Sequence, residues 1–434
     1  MKKVIRLALS AMILIALMGV LFMGCGGDSA GGGSTDRTTA TNTISDDPVT
    51  LRLMAYNSES SRPTYLKFLE DSLPNIKITY EYVNLDNFSN VLNSQLLAGQ
   101  GPDLIEVGGE TKLLAKADYL YDLTSESFRS KYSEPGFAAY TVDGKYYATP
   151  MQSWFEGIFY NKKIFRENGI SVPKTLDEFI QVHKDLAEKG IKPQTMGAQS
   201  WEPMMKQSIG VVNNEFYAKE GTGFDAKFDK GETKLADAWL PAVTEWYKVI
   251  EEGCLTQDML GLSYEQAMDE FATGNAAMWE SGPWAYNDIM DRNPDFELGM
   301  FPIPGVKEGP GWLVGGPGSG LAINADSKNL EAALQVLDKS ATPEAQIALL
   351  KDNPGSTSFL VGVDADLGDT YTDCADAFKA ANVYAPWTSV WTAGNPIVEG
   401  YGKSLQEVLA GTKTIEQALK DADDINDQMR ESME

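Results

Sequence analysis

The order of strand-like and helix-like segments near the start of the folded region restricts the fold most. Residues 49–56 (VTLRLMAY) and 76–82 (IKITYEY) alternate between apolar and polar side chains, as β-strands do. Between them, residues 63–73 carry three leucines at helical spacing, and residues 103–107 (DLIEV) form a further short strand pattern. Strand–helix–strand order is typical of α/β domains with a parallel sheet. The sequence therefore predicts an α/β fold.

A chain of 434 residues is too long for one ordinary core, so we expect two domains. The clearest helix runs from Thr175 to Lys189, where Thr175 and Glu178 form a capping-box pattern and Gly190 follows the end. Further helices are predicted over 235–252, 327–340, 343–351, 397–410 and 415–430, the last capped by Thr414 and Gln417.

The first 47 residues are predicted to carry export and anchoring signals rather than folded structure. Residues 1–24 combine three basic residues with a long apolar run and a final glycine, the pattern of a signal peptide. Cys25 follows directly, in a segment (FMGC) that resembles a bacterial lipobox, so we expect Cys25 to be lipidated. Residues 25–47 then form a flexible linker rich in Gly, Ser and Thr. This predicts a lipid-anchored protein on the extracytoplasmic face of the cell membrane. An uncleaved membrane helix or a plain secretory signal are the alternatives.

The charge of the chain excludes one class of partner. Asp and Glu number 62 against 36 Lys and Arg, a formal charge of −26, which repels nucleic acid and anionic lipid headgroups. It also argues, more weakly, against a polyanionic ligand.

The residues suited to metal or triad chemistry are scarce. One His and three Cys leave little material for a catalytic triad or a zinc site, so no metal or cofactor is predicted. His183 falls on the apolar stripe of its helix and is expected to be a packing residue. Cys254 and Cys374 could form one disulfide or remain free, because their separation in space cannot be read from the sequence.

Tryptophan is the feature that points to a ligand. Two of the nine tryptophans, Trp239 and Trp246, have the helical spacing of core residues. The other seven lie outside the best amphipathic helices: Trp154, Trp201, Trp279, Trp284, Trp312, Trp387 and Trp391. Aromatic faces in a cleft can stack on the apolar face of a pyranose ring, while carboxylates and amides bind its hydroxyls. For any single tryptophan, core packing remains the alternative.

Four segments, in order, carry a resemblance to a known family. Residues 99–107 (GQGPDLIEV), 146–179, 271–289 (FATGNAAMWESGPWAYNDI) and 318–324 (GSGLAIN) resemble extracellular solute-binding proteins that deliver carbohydrates to ABC importers, the group that includes maltose-binding protein. The second segment contains a Tyr-Asn-Lys motif and the third a Gly-Pro-Trp motif. The resemblance extends from about residue 48 to the end of the chain.

The resemblance implies a periplasmic-binding-protein fold, in which two α/β lobes joined by chain crossings hold a ligand between them. The first lobe would comprise residues 48–153 and 320–372, and the second lobe residues 154–319 and 373–434. It also implies a monomeric binding protein, without enzymatic turnover, that delivers a mono- or oligosaccharide to the permease subunits of an ABC importer. The alternatives are a lipid-anchored glycan-degrading enzyme and an importer receptor for a non-sugar solute such as glycerol phosphate or a polyamine.

The resemblance also implies ligand-binding positions. Trp284, in Gly282-Pro283-Trp284, matches the family's tryptophan platform for a sugar ring, and Trp154 falls where the family places a cleft side chain at the first crossing. The remaining positions follow strands or lie at crossings: Asn57, Ser58 and Glu59 after the first strand, Glu110 after the 103–107 strand, Trp201 in an aromatic segment, Gly316 at the return crossing, and Trp387 or Trp391 nearer the end.

If lipid on Cys25 anchors the chain, the substitution Cys25→Ser removes the acylated thiol and moves the protein from the membrane fraction to the periplasm or medium. Fractionation and immunoblotting measure this, and ligand affinity should not change. Retention of the variant in the membrane would indicate an uncleaved helix instead.

Overall fold

The computed structural model describes residues 48–363 and 367–433, and these residues form two five-stranded β-sheets and one small two-stranded sheet, flanked by helices. The predicted signal peptide, Cys25 and the linker lie outside the described residues. The first sheet has the strand order β2-β1-β3-β12-β6, and the second has the order β10-β7-β9-β8, with β11 pairing separately with β7. Within the described ranges, no helix has both the length and the hydropathy that a membrane span requires.

The strands are β1 (Val49–Ala55), β2 (Ile76–Tyr82), β3 (Leu104–Val107), β4 (Thr141–Val142), β5 (Lys145–Tyr146), β6 (Ala148–Pro150), β7 (Ser153–Asn161), β8 (Lys192–Thr195), β9 (Ala276–Ser281), β10 (Leu298–Phe301), β11 (Val314–Pro317) and β12 (Gly320–Ile323).

The α-helices are α1 (Pro63–Ser72), α2 (Leu85–Leu97), α3 (Thr111–Lys116), α4 (Lys162–Asn168), α5 (Leu176–Glu188), α6 (Glu202–Val212), α7 (Ala218–Glu220), α8 (Gly223–Asp229), α9 (Leu235–Ala238), α10 (Leu240–Glu251), α11 (Tyr264–Ala272), α12 (Tyr286–Arg292), α13 (Leu330–Ser340), α14 (Pro343–Asp352), α15 (Ala375–Lys379), α16 (Pro386–Ser389), α17 (Gly394–Leu409) and α18 (Ile415–Met433).

The α/β class predicted from the sequence is confirmed, but the two sheets differ in pairing. In the first sheet β1 pairs in parallel with both β2 and β3, as the strand–helix–strand order requires. Strand β12 then runs antiparallel between β3 and β6. In the second sheet β7 pairs antiparallel with β9, β10 and β11, and only β8 and β9 are parallel. The expected parallel sheet therefore describes only β1 to β3.

Local capping explains most helix boundaries. The Thr175 side chain accepts a hydrogen bond from the Glu178 amide at the start of α5, whereas the Glu178 carboxylate accepts from Lys174 N instead of closing the predicted capping box. Thr414 and Gln417 form both bonds expected before α18. The helix predicted over 235–252 is divided into α9 and α10, because a proline stands near the start of α10.

Apolar side chains cover both faces of each sheet. Successive side chains of a strand point to opposite faces, so one strand contributes to both layers. His183 is buried between the Phe179 carbonyl and the Gln194 side chain, which confirms a packing role. Cys254 and Cys374 are both free and buried, and they belong to clusters on opposite faces of the second sheet. The structure therefore contains no disulfide between them.

The sheets are joined where β6 leads into β7 and where β11 leads into β12. These two crossings bond to each other, because Gly318 N donates to Gln152 O at 2.8 Å and Met151 N donates to Ser319 O at 3.0 Å. A third segment joins them, since Ser153 N donates to Thr357 O at 2.8 Å.

A buried ion pair supports these crossings from the first sheet. Arg62, just before α1, pairs with Glu106 of β3, and their side chains are 2% and 0% exposed. The same guanidinium donates to Ser319 Oγ at 3.3 Å and contacts Met151 Sδ at 3.6 Å. One side chain thus links the first helix, the central strand and both crossings.

From residue 367 the chain packs against the second sheet again. Leu360 and Val363 pack with the first sheet, whereas Leu367 and Tyr371 pack with the second. The predicted boundary after residue 372 places Tyr371 in the first lobe, yet its ring lies 5.5 Å from that of Phe155 in β7.

Glu106→Gln leaves the Arg62 charge buried without a partner of opposite sign, so we expect the free energy of unfolding to fall by about 3–5 kcal/mol. Denaturant titration measures it. The matched control is Asp71→Asn, which breaks the exposed Lys67–Asp71 pair and should change stability by less than about 1 kcal/mol. Equal effects of the two substitutions would contradict a supporting role for the buried pair.

Candidate functional site

Three of the predicted tryptophans form one cluster on the second sheet, which we call the tryptophan cluster. The ring centroids of Trp154 and Trp284 are 6.5 Å apart, and those of Trp154 and Trp387 are 5.7 Å apart. Trp154 and Trp284 are half-buried, whereas Trp387 is buried. Trp154 is the second residue of β7, directly after the first crossing, Trp284 follows β9, and Trp387 lies in α16. Residues far apart in sequence therefore present their rings at one place.

The register of the second sheet places charged groups beside these rings. Side chains alternate along β7, so Trp154, Glu156 and Ile158 share a face, and Glu280 of β9 lies directly opposite Ile158. Gly316 of β11 is the partner of Trp154, so no side chain stands next to the indole on that strand. The sheet thus places one half-buried indole and two buried carboxyl groups on the same face.

Lys206 of α6 connects the rings and the carboxylates. Its Nζ donates to Glu156 at 2.6 Å and to Glu202 at 2.8 Å. The same nitrogen lies 5.4 Å from the Trp154 ring and 5.6 Å from the Trp284 ring, within cation–π range. Burial alone would lower the pKa of Lys206, but Glu156 and Glu202 more than offset this and raise it. Lys206 is therefore a permanent cation.

Glu280 is the unsatisfied member of this group. It is 3% exposed, and neither carboxyl oxygen has a hydrogen-bond partner among the residues that the structure describes. Burial, and then the Glu156 carboxylate, raise the pKa of Glu280 well above its usual range, although Lys206 partly lowers it. A buried carboxyl group without partners is costly and is most often retained for a function.

Trp284 is held by a close turn and one hydrogen bond. Gly282 has no Cβ, and a Cβ there would clash with both the Trp284 ring and the Phe155 carbonyl oxygen. The Trp284 indole N–H donates to the Tyr264 hydroxyl at 2.9 Å, and that hydroxyl lies 3.0 Å from Ser281 Oγ. The polar edge of the ring is thus fixed while part of the ring remains exposed.

Two other predicted tryptophans lie outside the cluster. Trp391 is 1% exposed, donates its indole N–H to Asp225 at 2.9 Å and packs on Trp239, so it is a core residue. Trp201 is half-buried against α17, where a Cβ at Gly402 would lie 3.0 Å from its ring. Of the pair that the sequence left open, only Trp387 reaches the cluster.

The residues after β1 that were predicted to bind ligand make their contacts within the first lobe. The Asn57 amide donates to Glu106 at 2.5 Å, and its carbonyl accepts from the Tyr80 hydroxyl. Ser58 contacts the Ser60 hydroxyl at 2.9 Å, and Glu59 is exposed. The Asn57 amide is therefore occupied by the buried ion pair.

Glu110 joins the two lobes. It follows β3, at the carboxyl edge of the first sheet, and its carboxylate accepts from Gly108 N at 2.8 Å and from Asn395 Nδ2 of α17 at 2.9 Å. The neighbouring Lys112 donates from Nζ to the Ser389 carbonyl of α16 at 3.0 Å. These two contacts show that the carboxyl edge of the first sheet faces the helices that carry Trp387.

Two surface depressions lie elsewhere. One, of about 180 Å³, is lined by residues around Asp103 and Ser327, and the other, of about 270 Å³, is lined by residues around Trp312 and Asn214. Neither contains a residue predicted for ligand binding.

Sequence reasoning missed the charged groups of the site. Glu156 is two residues after Trp154 in an alternating strand, so the shared face could have been read from the sequence. Glu202 and Lys206 stand four residues apart in a helix, a spacing that favours an ion pair. Glu280 and Asn395 carry no local signal, because only the tertiary fold brings them to the site.

Burial raises the pKa of Glu110 from 4.5 to about 7, although hydrogen bonds from the backbone and from Asn395 lower it. The pKa is thus raised in the folded protein, so the stability contributed by a protonated Glu110 is complete below about pH 4.5 and is lost as the pH rises through 7. Compared with Glu110→Gln, the native chain should lose about 3 kcal/mol of unfolding free energy between pH 5 and 8. Parallel pH profiles of the two proteins would contradict this.

Comparisons with known proteins identify the family of the chain. The family model described as bacterial extracellular solute-binding protein matches residues 59–347. The multiple sugar-binding protein of Streptococcus mutans is 27% identical over 327 residues, covering 74% of this chain and 77% of that protein. The diacetylchitobiose-binding protein DasA of Streptomyces coelicolor is 29% identical over 357 residues, covering 80% of each.

Solved structures agree on the fold. The solute-binding protein RafE in complex with raffinose superposes with a TM-score of 0.73 at 23% identity, covering 88% of this chain and 100% of that one. A chitin oligosaccharide binding protein gives a TM-score of 0.73 at 25% identity, with coverages of 88% and 99%. The two-lobed fold matches these proteins, and the chain belongs to the family of bacterial extracellular solute-binding proteins.

Proposed function

We propose that this protein captures a neutral mono- or oligosaccharide outside the cytoplasm and delivers it to the permease of an ABC importer. Ligand would bind between the lobes, and contacts from both lobes would stabilise the closed form. In this proposal the protein acts as a monomer without turnover, and lipid on Cys25 holds it at the membrane.

The tryptophan cluster beside Lys206 is the observation that carries the proposal. A sugar ring has apolar C–H faces and polar edges, so it needs aromatic surface and hydrogen-bonding groups side by side. Trp154 and Trp284 offer partly exposed rings, and Glu156, Glu202 and Lys206 lie directly beside them. A protonated Glu280 could donate one hydrogen bond to a sugar hydroxyl and accept another.

The relatives support a saccharide ligand. By name they bind multiple sugars, diacetylchitobiose, and melibiose, raffinose or stachyose. The identities of 23–29% do not select among these sugars.

The charges around the cluster favour a neutral ligand over an anionic one. Among the described residues beside the rings, the cation Lys206 is already paired with the carboxylates of Glu156 and Glu202. A uronic acid or a phosphate would therefore meet repulsion without a free positive partner.

A thermal-shift screen tests the function. The panel should contain neutral oligosaccharides, N-acetylated chitin oligosaccharides, uronic-acid oligosaccharides, glycerol phosphate and a polyamine. A neutral saccharide at a hundredfold excess over Kd should stabilise the protein by about 2.7 kcal/mol. A response only to glycerol phosphate or the polyamine would make the protein a receptor for a non-sugar solute. Release of reducing ends from the ligand would indicate a glycan-degrading enzyme.

Trp284→Ala should weaken saccharide binding by roughly 2–4 kcal/mol, because a stacked aromatic ring is removed from the centre of the site. Titration calorimetry with the saccharide found in the screen measures the loss. Circular dichroism and the melting temperature of the free protein should change little, because the ring is half-buried.

The control is Trp312→Ala, which removes another half-buried indole outside the tryptophan cluster. It should leave affinity unchanged. Normal binding by Trp284→Ala, or unfolding of that variant without ligand, would show that the ring is packing material.

A further inference from the structure

The end of strand β2 exposes apolar side chains on the lobe opposite the tryptophan cluster. Among the described residues, four large hydrophobic side chains are exposed: Tyr82, Leu85, Ile347 and Val361. Tyr82, at 55% exposure, ends β2, and Leu85 begins α2 three residues later. A single exposed hydrophobic residue needs no explanation, but two within four residues at one strand end draw attention to this part of the surface.

The topology places this surface on the side that faces the second lobe. Strands β1, β2 and β3 are parallel, so their carboxyl ends lie on one edge of the first sheet. Tyr82 is the partner of Ala55, the last residue of β1. Because the Glu110–Asn395 contact shows that this edge meets the second lobe, Tyr82 lies on the same boundary. Two strand spacings, about 10 Å, separate it from β3.

Electrostatic neighbours agree with this placement. Burial raises the pKa of the Tyr82 hydroxyl, and the carboxylates of Glu265 and Asp86 add to the rise. Glu265 is adjacent to Tyr264, which holds the Trp284 indole. Burial likewise raises the pKa of Asp86, and the Glu202 carboxylate raises it further. Glu202 is the ion-pair partner of Lys206. The Tyr82 hydroxyl and the Asp86 carboxylate thus lie within electrostatic range of Glu265 and Glu202, which both belong to the second lobe.

We propose that Tyr82 is a stacking platform, contributed by the first lobe, for an outer sugar unit of an oligosaccharide whose inner unit occupies the tryptophan cluster. The assignment rests on the proposed function and extends it, because it makes the ligand longer than one sugar unit. Leu85 would widen the apolar surface, and Asp86 would offer a carboxylate to hydroxyls at the edge of the ring.

The position of Tyr82 explains why the platform would act on long ligands only. It lies at the edge strand of the first sheet, away from the crossings, so a monosaccharide in the tryptophan cluster would not reach it. An outer unit would be enclosed between Tyr82 and the second lobe as the lobes close. The affinity for long ligands would thus depend on the first lobe, whereas the inner unit would bind to the second lobe.

Titration calorimetry of the mature chain with saccharide series of increasing length tests the proposal. The probes are glucose to maltotetraose, galactose through melibiose and raffinose to stachyose, and N-acetylglucosamine to its tetramer. In the series that the native protein binds, Tyr82→Ala should weaken binding of the tetrasaccharide about tenfold and leave that of the shortest bound member unchanged. Tyr82→Phe keeps the ring and should bind both as the native protein does.

The matched control is Ile347→Ala, which removes another exposed hydrophobic side chain and should not alter affinity at any length. An unchanged tetrasaccharide affinity in Tyr82→Ala would overturn the platform while leaving saccharide binding intact. An equal loss at all lengths would also overturn it, because that pattern indicates altered lobe closure. Failure of the native protein to bind any saccharide would overturn the proposed function and the platform together.

Discussion

The buried pair of Arg62 and Glu106 is the interaction on which the relation between the two lobes depends. Glu106 stands in the central strand of the first sheet, and Arg62 reaches from the start of α1 to Ser319 and Met151 at both crossings. Neither charge can remain buried without the other, because an isolated ion in the interior costs several kcal/mol. The pair therefore holds the loop after β1, because the Asn57 amide donates to Glu106. It also holds the two crossings, through the contacts of Arg62. The pair thus supports the two short segments that join the lobes.

The second lobe builds the tryptophan cluster and its charged neighbours from sheet register. Alternation along β7 brings Trp154 and Glu156 to one face, and antiparallel pairing with β9 adds Glu280 to it. Helix α6 then supplies Lys206, whose ammonium group lies between carboxylates and indole faces. Because the site stands on strands and a helix rather than on long loops, its geometry is set by the packing of the lobe.

Much of the fold could be predicted from the sequence, because its signals are local. Strands β1 and β2 alternate, α5 carries its cap, and the segment around Gly282 ends a strand, so their places followed from neighbouring residues. The antiparallel second sheet did not follow, since pairing partners such as β7 and β9 are more than a hundred residues apart. The tryptophans show the same limit, because local sequence does not determine which tertiary neighbours surround each ring. Trp284 follows a sharp turn that delivers it to a surface, whereas Trp391 differs from Trp387 only in its tertiary neighbours, with Asp225 taking its indole N–H.

The contacts that join the lobes directly have a consequence for selectivity. Glu110 bonds to Asn395 and Lys112 bonds to the Ser389 carbonyl without any ligand between them. If the lobes close over a ligand as proposed, such bonds would stabilise the closed form by the same amount whichever ligand is enclosed, so they would scale all affinities together and change no ratio between ligands. In the proposed site, the groups that would touch the ligand would set those ratios. Substitutions at the lobe contact would therefore change the ligand concentration at which the protein is half-saturated without changing which ligand it prefers.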